Sequence, residues 1–417
     1  MSVIDLQTPG KRKGGRTINV CFFTSCKVRP TLGGTERITY TVAQELKDTY
    51  GCRCFNLYEL TPMGQYSSGV FADSVQLDMQ SVEKHQAVVD QLKDWNIDIL
   101  IHQAGYFNEK QSELLAATMH SLGGKYVFCL HFSPLFYLFY LTFREVCDIW
   151  CQYRTLKNGV WTLLYPFMKY RHTYRQRKAL QRICVVSDRV VFLSKHSVSE
   201  FVSMYGIKDT SNLCAINNSL SFDTFFEPDK LHEKEHTVLI VARMDETFKR
   251  ISIALQIWKE IEQDASLSDW RLVIVGDGQD LPQYKTYVEQ NGLTRVSFEG
   301  SQPPEEYYRK ASVFMLTSRN EGWGLTLTEA QQFGCVPIAF DTYAALTDII
   351  TDGENGRIIS EGERGLYRDA LASLMHDEPL RHRLAVNAIS SSHRFEKKTI
   401  IAQWWELIVS LTQNRPD

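Results

Sequence analysis

Short apolar runs of β type recur along the whole chain and alternate with segments of helical period. A chain with that alternation buries its strands as parallel sheets whose crossovers are helices. In the first half the strands are expected at Ile18 to Phe23, Cys52 to Leu57, Ile97 to His102, Lys125 to Leu130, Val190 to Leu193 and Leu213 to Ile216. In the second they are expected at Thr237 to Val241, Arg271 to Val275, Val296 to Phe298, Val313 to Leu316 and Val336 to Phe340. The polar stretch Ser221 to His236, with Pro228 and a dense run of charges, reads as a linker between the two sets. At 417 residues the chain exceeds what one core usually supports. The expectation is therefore an α/β fold of two Rossmann-like domains, residues 17–219 and 220–398, facing each other across a cleft that holds the ligand. A last helix, within 399–417 and carrying Trp404 and Trp405, is expected to cross back onto the first domain.

Charge and cysteine usage narrow the function classes. The net charge is −3, so no global basic excess points to nucleic acid, and no nucleic-acid partner is expected. The ten cysteines form no paired C-x2-C motifs, and several lie inside apolar strands. They read as reduced, mostly buried thiols of a cytoplasmic protein. The polar start, Met1 to Thr17, is followed by no apolar segment of signal-peptide type and reads as a disordered lead-in.

The chemistry concentrates after two strands. Thr317 to Ala330 places Glu321 and Glu329 around a turn containing Gly322 and Gly324, between the run Val313 to Leu316 and a helix expected from Leu325 to Phe333. Amides of Gly324, Leu325 and Thr326 at that helix start have no intrahelical partner and suit an anion. Eight helical residues are roughly 80° past two full turns, so Glu321 and Glu329 share one broad side. Alone, such an acidic pair is equally read as capping and a solvated face. Arg243 and Lys249 supply the complement, two cations between the strand Thr237 to Val241 and a helix expected from Ile251 to Glu262. They stand at the carboxyl end of a parallel strand, where open α/β sheets bind ligands.

This set, Arg243, Lys249 and the Glu321-x7-Glu329 pair, resembles the retaining glycosyltransferases of family 4, which have the GT-B fold. The resemblance implies that Arg243 and Lys249 hold the diphosphate of a nucleotide sugar, that Glu321 lies by the transferred sugar and that Glu329 holds the ribose hydroxyls. It also implies that Gly34, in the Gly33-Gly34 turn after the first strand, faces the donor phosphates. His131, ending the strand Lys125 to Leu130, is implied to contact the donor sugar; a core histidine is the other reading. His102 ends a strand without a motif match and is taken as structural or acceptor-facing. Gln302, in Phe298 to Gln302, falls in the implied base-contacting turn. A UDP-sugar is favoured over a GDP-sugar on the family's usage alone. Ala242 and Arg250 stand where glycine often flanks the two cations, and Asn218-Ser219 replaces Asn-Gly; these departures bear on backbone freedom and on donor identity.

No D-x-D sequence occurs, so no metal site is expected and cationic side chains would neutralise the leaving diphosphate. No cofactor is expected beyond the nucleotide-sugar substrate. The expected activity is a retaining, metal-independent hexosyltransfer to a glycan or lipid-linked acceptor in surface polysaccharide or glycoconjugate assembly. A sugar-nucleotide epimerase, a phosphorylase and a non-catalytic nucleotide-binding scaffold are the alternatives.

Residues 134–182 carry nine basic side chains against Glu145 and Asp148, a net of +7, interleaved with twelve aromatics. That composition suits an anionic membrane surface, which would put the protein at the inner face of the cell membrane. It equally suits helices that turn aromatics to the core and leave basic residues in water.

Overall fold

A computed structural model describes residues 16–30, 33–60, 69–76, 82–104, 108–134, 160 and 162–413. The chain divides into two compact units, 1–216 with 401–417 and 217–400. The first boundary thus falls three residues before the expected 219/220 junction.

In the first unit the described elements are β1 (Asn19–Cys26), α1 (Gly34–Tyr50), β2 (Arg53–Leu60), β3 (Asp73–Gln76), α2 (Val82–Asp94), β4 (Ile99–Ala104), α3 (Glu109–Ser121), β5 (Lys125–Leu130), α4 (Tyr165–Val186), β6 (Arg189–Phe192), α5 (Lys195–Tyr205) and β7 (Leu213–Ala215). The seven strands form one parallel sheet in the order β3-β2-β1-β4-β5-β6-β7. The first six residues of β1 and nearly all of β5 are buried, as expected of strands covered on both faces. Sequence order reverses direction between β1 and β4, which makes the carboxyl ends of those strands the switch point of this sheet. The final helix, α14 (Lys397–Thr412), brings Trp405 to stack on Tyr50 of α1 at 4.6 Å.

The second unit holds β8 (Glu235–Val241), α6 (Glu246–Lys249), α7 (Ile251–Ile261), β9 (Arg271–Val275), α8 (Leu281–Gln290), β10 (Val296–Gly300), α9 (Glu305–Lys310), β11 (Ala311–Leu316), α10 (Leu325–Gln332), β12 (Val336–Asp341), α11 (Leu346–Ile349), β13 (Arg357–Ser360), α12 (Arg364–His376) and α13 (Glu378–Ser392). Its parallel sheet runs β10-β9-β8-β11-β12-β13, with the switch point between β8 and β11. Helix α7 shows how the sequence drives the packing. Ile251, Ala254, Leu255, Trp258 and Ile261 recur at helical spacing, and all five are buried in the core with Leu272, Ile274 and Ile338. Burying a side chain of that kind stabilises by roughly 2 kcal/mol.

The stretch Ser221 to His236 is not a free linker. Phe225 and Phe226 pack against the core of the second unit, and the Phe226 amide donates to the Gln332 carbonyl. Lys234 is half-buried and donates to the carbonyls of Tyr308, Arg309 and Ala311, closing the end of α9. The charges that suggested solvent are therefore partly spent on the fold.

His102, expected to end its strand, lies inside β4, which runs on to Ala104, and is a structural residue. It is buried, its Nδ1 lies 2.7 Å from the Tyr126 hydroxyl, and it meets Phe23 and Phe128 edge to face. Burial pushes its imidazole down to about 3. Because the folded value lies below the unfolded one, protons bind the unfolded chain preferentially and stability is lost as pH falls below about 6.5. We expect the first unit to lose about 3 kcal/mol from this group between pH 7 and 4. His102→Gln should flatten that slope in urea unfolding curves measured across the pH range, and an unchanged slope would refute the assignment.

Candidate active site

The second sheet places its exit loops at the β8/β11 switch point and ties them together. Arg250 is the tie. Its backbone is left-handed, φ 49° and ψ 47°, a conformation costly for any residue with a Cβ by roughly 1–2 kcal/mol. The side chain offsets that cost: Nε donates to the Thr317 carbonyl at 2.9 Å, Nη2 to the Ser318 carbonyl at 3.1 Å, and Nη1 meets Glu361 at 3.0 Å. In return the Thr317 hydroxyl donates to the carbonyls of Lys249 and Arg250, and the Arg319 amide to the Phe248 carbonyl. The loop carrying Glu321 is thus bolted to the loop carrying Lys249. Its position among the cations drew notice in the sequence only as a departure from glycine, and the left-handed backbone explains why glycine suits it.

On that frame Lys249 Nζ contacts Glu321 Oε1, and the Ser318 hydroxyl donates to the same oxygen at 2.7 Å. Both charged side chains are mostly shielded. Arg243 is exposed, its guanidinium 3.4 Å from Asp245. Its loop is supported from below by Gly276, φ 136°, where an added Cβ would lie 1.9 Å from the Ala242 carbonyl oxygen. Helix α10 starts at Leu325 with Gly324 as its N-cap at φ 93° and no side-chain cap. The Leu327 amide reaches back to the Gly324 carbonyl, so the amides of Leu325 and Thr326 are the ones left for an anion.

Glu329 lies inside the second unit. It is fully buried; Oε1 accepts from Ser221 at 2.5 Å and Oε2 from the Tyr308 hydroxyl at 2.9 Å. Gln302 is exposed beyond β10. Gly34 opens α1 in the first unit. His131, also of the first unit, is buried with Nε2 against Gln103 Oε1, and burial pushes it down to about 4, so it is a neutral imidazole near pH 7. The structure therefore gathers Lys249, Glu321 and the start of α10 into one place, with Ser318 and Arg250 as members that sequence reasoning missed. Among the described residues no group of three or more His, Cys, Asp or Glu side chains is placed to hold a metal ion.

Helix α4 is the described part of the basic, aromatic stretch; Arg144, Arg154 and Lys157 lie outside the described residues. Phe167, Tyr170 and Tyr174 follow i, i+3, i+7 spacing and are exposed by 61%, 70% and 51%. Lys178 Nζ stands 5.9 Å from the Tyr174 ring. Arg177 and Arg182 are used internally, on the Tyr205 carbonyl and on Glu109 and Glu113. Among the described residues no helix is long and apolar enough to cross a membrane.

Residues 221–391 match the model of the family Glycosyl transferases group 1, a segment inside the second unit that contains every member of this cluster. The match covers under half of the chain. The chain is 28% identical over 232 residues to the amylovoran biosynthesis glycosyltransferase AmsD of Erwinia amylovora, covering 54% of this chain and 62% of AmsD. It is 28% identical over 206 residues to an α-1,4-N-acetyl-D-galactosaminyltransferase of Campylobacter jejuni named for an undecaprenol-linked acceptor, covering 49% and 55%. The chain thus spans less than two thirds of either relative. In fold it is similar to Anabaena HepE, crystallised with UDP and glucose, at a TM-score of 0.69 and 16% identity, covering 94% of this chain and all of that one. The lipopolysaccharide outer core galactosyltransferase WaaB gives 0.65 at 17% identity, covering 94% and 99%. At these identities the likeness is one of fold.

Glu329 and Glu321 differ in what the fold asks of them. Glu329→Ala strands the Ser221 and Tyr308 hydroxyls and should destabilise the second unit by about 2–3 kcal/mol, while Glu321→Ala should cost under about 1 kcal/mol. Thermal and urea unfolding of both variants checks this; equal losses would overturn it.

Proposed function

We propose that the protein is a retaining glycosyltransferase that moves a hexosyl unit from a nucleotide diphosphate sugar, UDP-linked in preference to GDP-linked, to a glycan or glycolipid acceptor in polysaccharide or glycoconjugate assembly. The observation that carries this is the Lys249–Glu321 contact beside the uncapped start of α10, within the segment that matches the family Glycosyl transferases group 1. Breaking the bond between the anomeric carbon and the diphosphate leaves negative charge on phosphate and positive character on the sugar. Lys249, Arg243 and the amides of Leu325 and Thr326 stabilise the first; Glu321 orients the second. Lys249 must trade part of its contact with Glu321 for the phosphate, which frees a Glu321 oxygen to accept from a sugar hydroxyl. Retention would have the acceptor attack on the face the diphosphate leaves, with a diphosphate oxygen taking its proton. Two cations and two amides supply the compensation a metal would give, so the reaction proceeds without one. The solved structure of HepE with UDP and glucose supports a UDP-sugar at such a fold.

Arg243→Ala and Lys249→Ala should each lower turnover of the preferred sugar nucleotide about a hundredfold or more, the scale of one lost donor to a developing oxyanion. Excess EDTA should leave the wild-type rate within about twofold. Screening UDP- and GDP-sugars for turnover, with the anomeric configuration of the product read by NMR, tests the assignment. Near wild-type rates in either variant would refute the diphosphate site, inactivation by EDTA restored by magnesium would refute metal independence, and an inverted product would refute retention.

The acceptor reading extends to the membrane. The exposed aromatics of α4 and the basic residues beside them fit an anionic lipid surface, where each cation contributes on the order of 1 kcal/mol. We place the protein in the cytoplasm, at the inner face of the cell membrane, reaching a lipid-linked acceptor there. Changing Lys169, Arg171, Arg175 and Lys178 to Gln spares Arg177 and Arg182, which serve the fold. Wild type should sediment with anionic liposomes at low salt and lose binding as salt rises, and this variant should bind at least tenfold more weakly. Wild type that ignores anionic liposomes, or a variant that binds equally well, would show a merely solvated helix face.

A further inference from the structure

The turn between β12 and α11 holds a polar group that no other described residue uses. Tyr343 is 3% exposed, yet among the described residues its hydroxyl has no hydrogen-bond partner. A buried hydroxyl in that state costs roughly 1–3 kcal/mol, so its persistence calls for a reason. Its surroundings supply one. A Cβ added to Gly324 would sit 2.7 Å from the Tyr343 oxygen, so the hydroxyl stands against the N-cap of α10, the residue that precedes the amides of Leu325 and Thr326. Only glycine leaves that space open, and it also carries the φ of 93°. Two more buried polar atoms, Asn320 Oδ1 and Trp323 Nε1 in the loop that carries Gly324, have no partner among the described residues. A loop built to be self-contained would have paired them; a loop built around a ligand leaves them for it.

We propose that Tyr343 is a binding residue of the sugar-nucleotide site, donating its hydroxyl hydrogen to a phosphate oxygen held by the first amides of α10, on the phosphate that bears the transferred sugar. The proposal rests on the reading of this site as a nucleotide diphosphate site and adds a side chain to it. Burial and the nearby Glu321 both hold the phenol well above its usual range, so it stays a donor at every pH at which the protein is folded. The phenol ring confines the O–H close to its own plane. Three donors, one side chain and two amides, then converge on one anion from a position distinct from the two cations.

Tyr343→Phe isolates the hydroxyl because it keeps the ring and its packing. If the group were structural the variant would unfold more easily. Here its melting temperature should equal or exceed that of wild type, since no native bond is lost. Calorimetric affinity for UDP should fall about tenfold, the scale of one hydrogen bond to a charged group, while affinity for UMP, which lacks the second phosphate, should stay within about twofold. Turnover of the sugar nucleotide should fall with it. The GDP and GMP pair serves in the same way if guanine is the base. A wild type that binds neither diphosphate sinks the nucleotide reading and this inference with it. A wild type that binds a diphosphate as tightly as Tyr343→Phe does sinks the inference alone, as does an equal loss of affinity for the monophosphate.

Discussion

The bolting of two loops across the β8/β11 switch point is the constraint on which the site depends. In an open parallel sheet the exits of neighbouring strands diverge when the chain reverses direction, which leaves a crevice but no rigidity. Here the guanidinium of Arg250, the Thr317 hydroxyl and the Arg319 amide close the divergence with bonds running both ways. Lys249 and Glu321 consequently meet as side chains of one rigid body, although they lie 72 residues apart in sequence. Preorganisation of that kind matters where charge develops, because dipoles already in place need not reorganise during the reaction.

The core of this arrangement was legible in the sequence. Apolar runs such as Leu239, Ile240, Val273 and Ile274 marked the central strands because strands covered on both faces read as continuous hydrophobics. The edge strands β3 and β13 escaped, since Asp73–Gln76 and Arg357–Ser360 are short and polar or only partly buried. Lys249, Glu321 and the glycine turn were visible because strand, turn and helix lie in local order. What was invisible depended on distant partners. Glu329 is held by Ser221, 108 residues away, and by Tyr308, 21 away. No local pattern announces such a pairing, and a carboxylate with two hydroxyl partners tolerates a burial that its residue type argues against. The segment Ser221 to His236 misled for a related reason: its charges outnumber Phe225 and Phe226, but two aromatics suffice to fasten it to the core.

The first unit puts two histidines to the same use. His102 lies inside β4 and His131 directly follows β5, both are buried, and both are driven toward the neutral form by burial. A neutral imidazole can donate through one nitrogen and accept through the other without adding charge. At His131 the Gln103 oxygen occupies Nε2, which fixes the hydrogen there and leaves Nδ1 as the acceptor. Any group that meets His131 therefore meets a lone pair on that nitrogen.

Arg250 is asked for two incompatible things, a backbone that suits a residue without a Cβ and a side chain long enough to span two carbonyls and a carboxylate. Glycine there would relax the turn and unfasten the loop; lysine would keep the strain and lose the fork that grips two carbonyls at once. Alternatives at this position thus sit in separate valleys, each reachable only if the neighbouring loop changes as well. A chain that has settled on arginine inherits a tighter crevice and, with it, fewer routes by which the loop after β11 can drift.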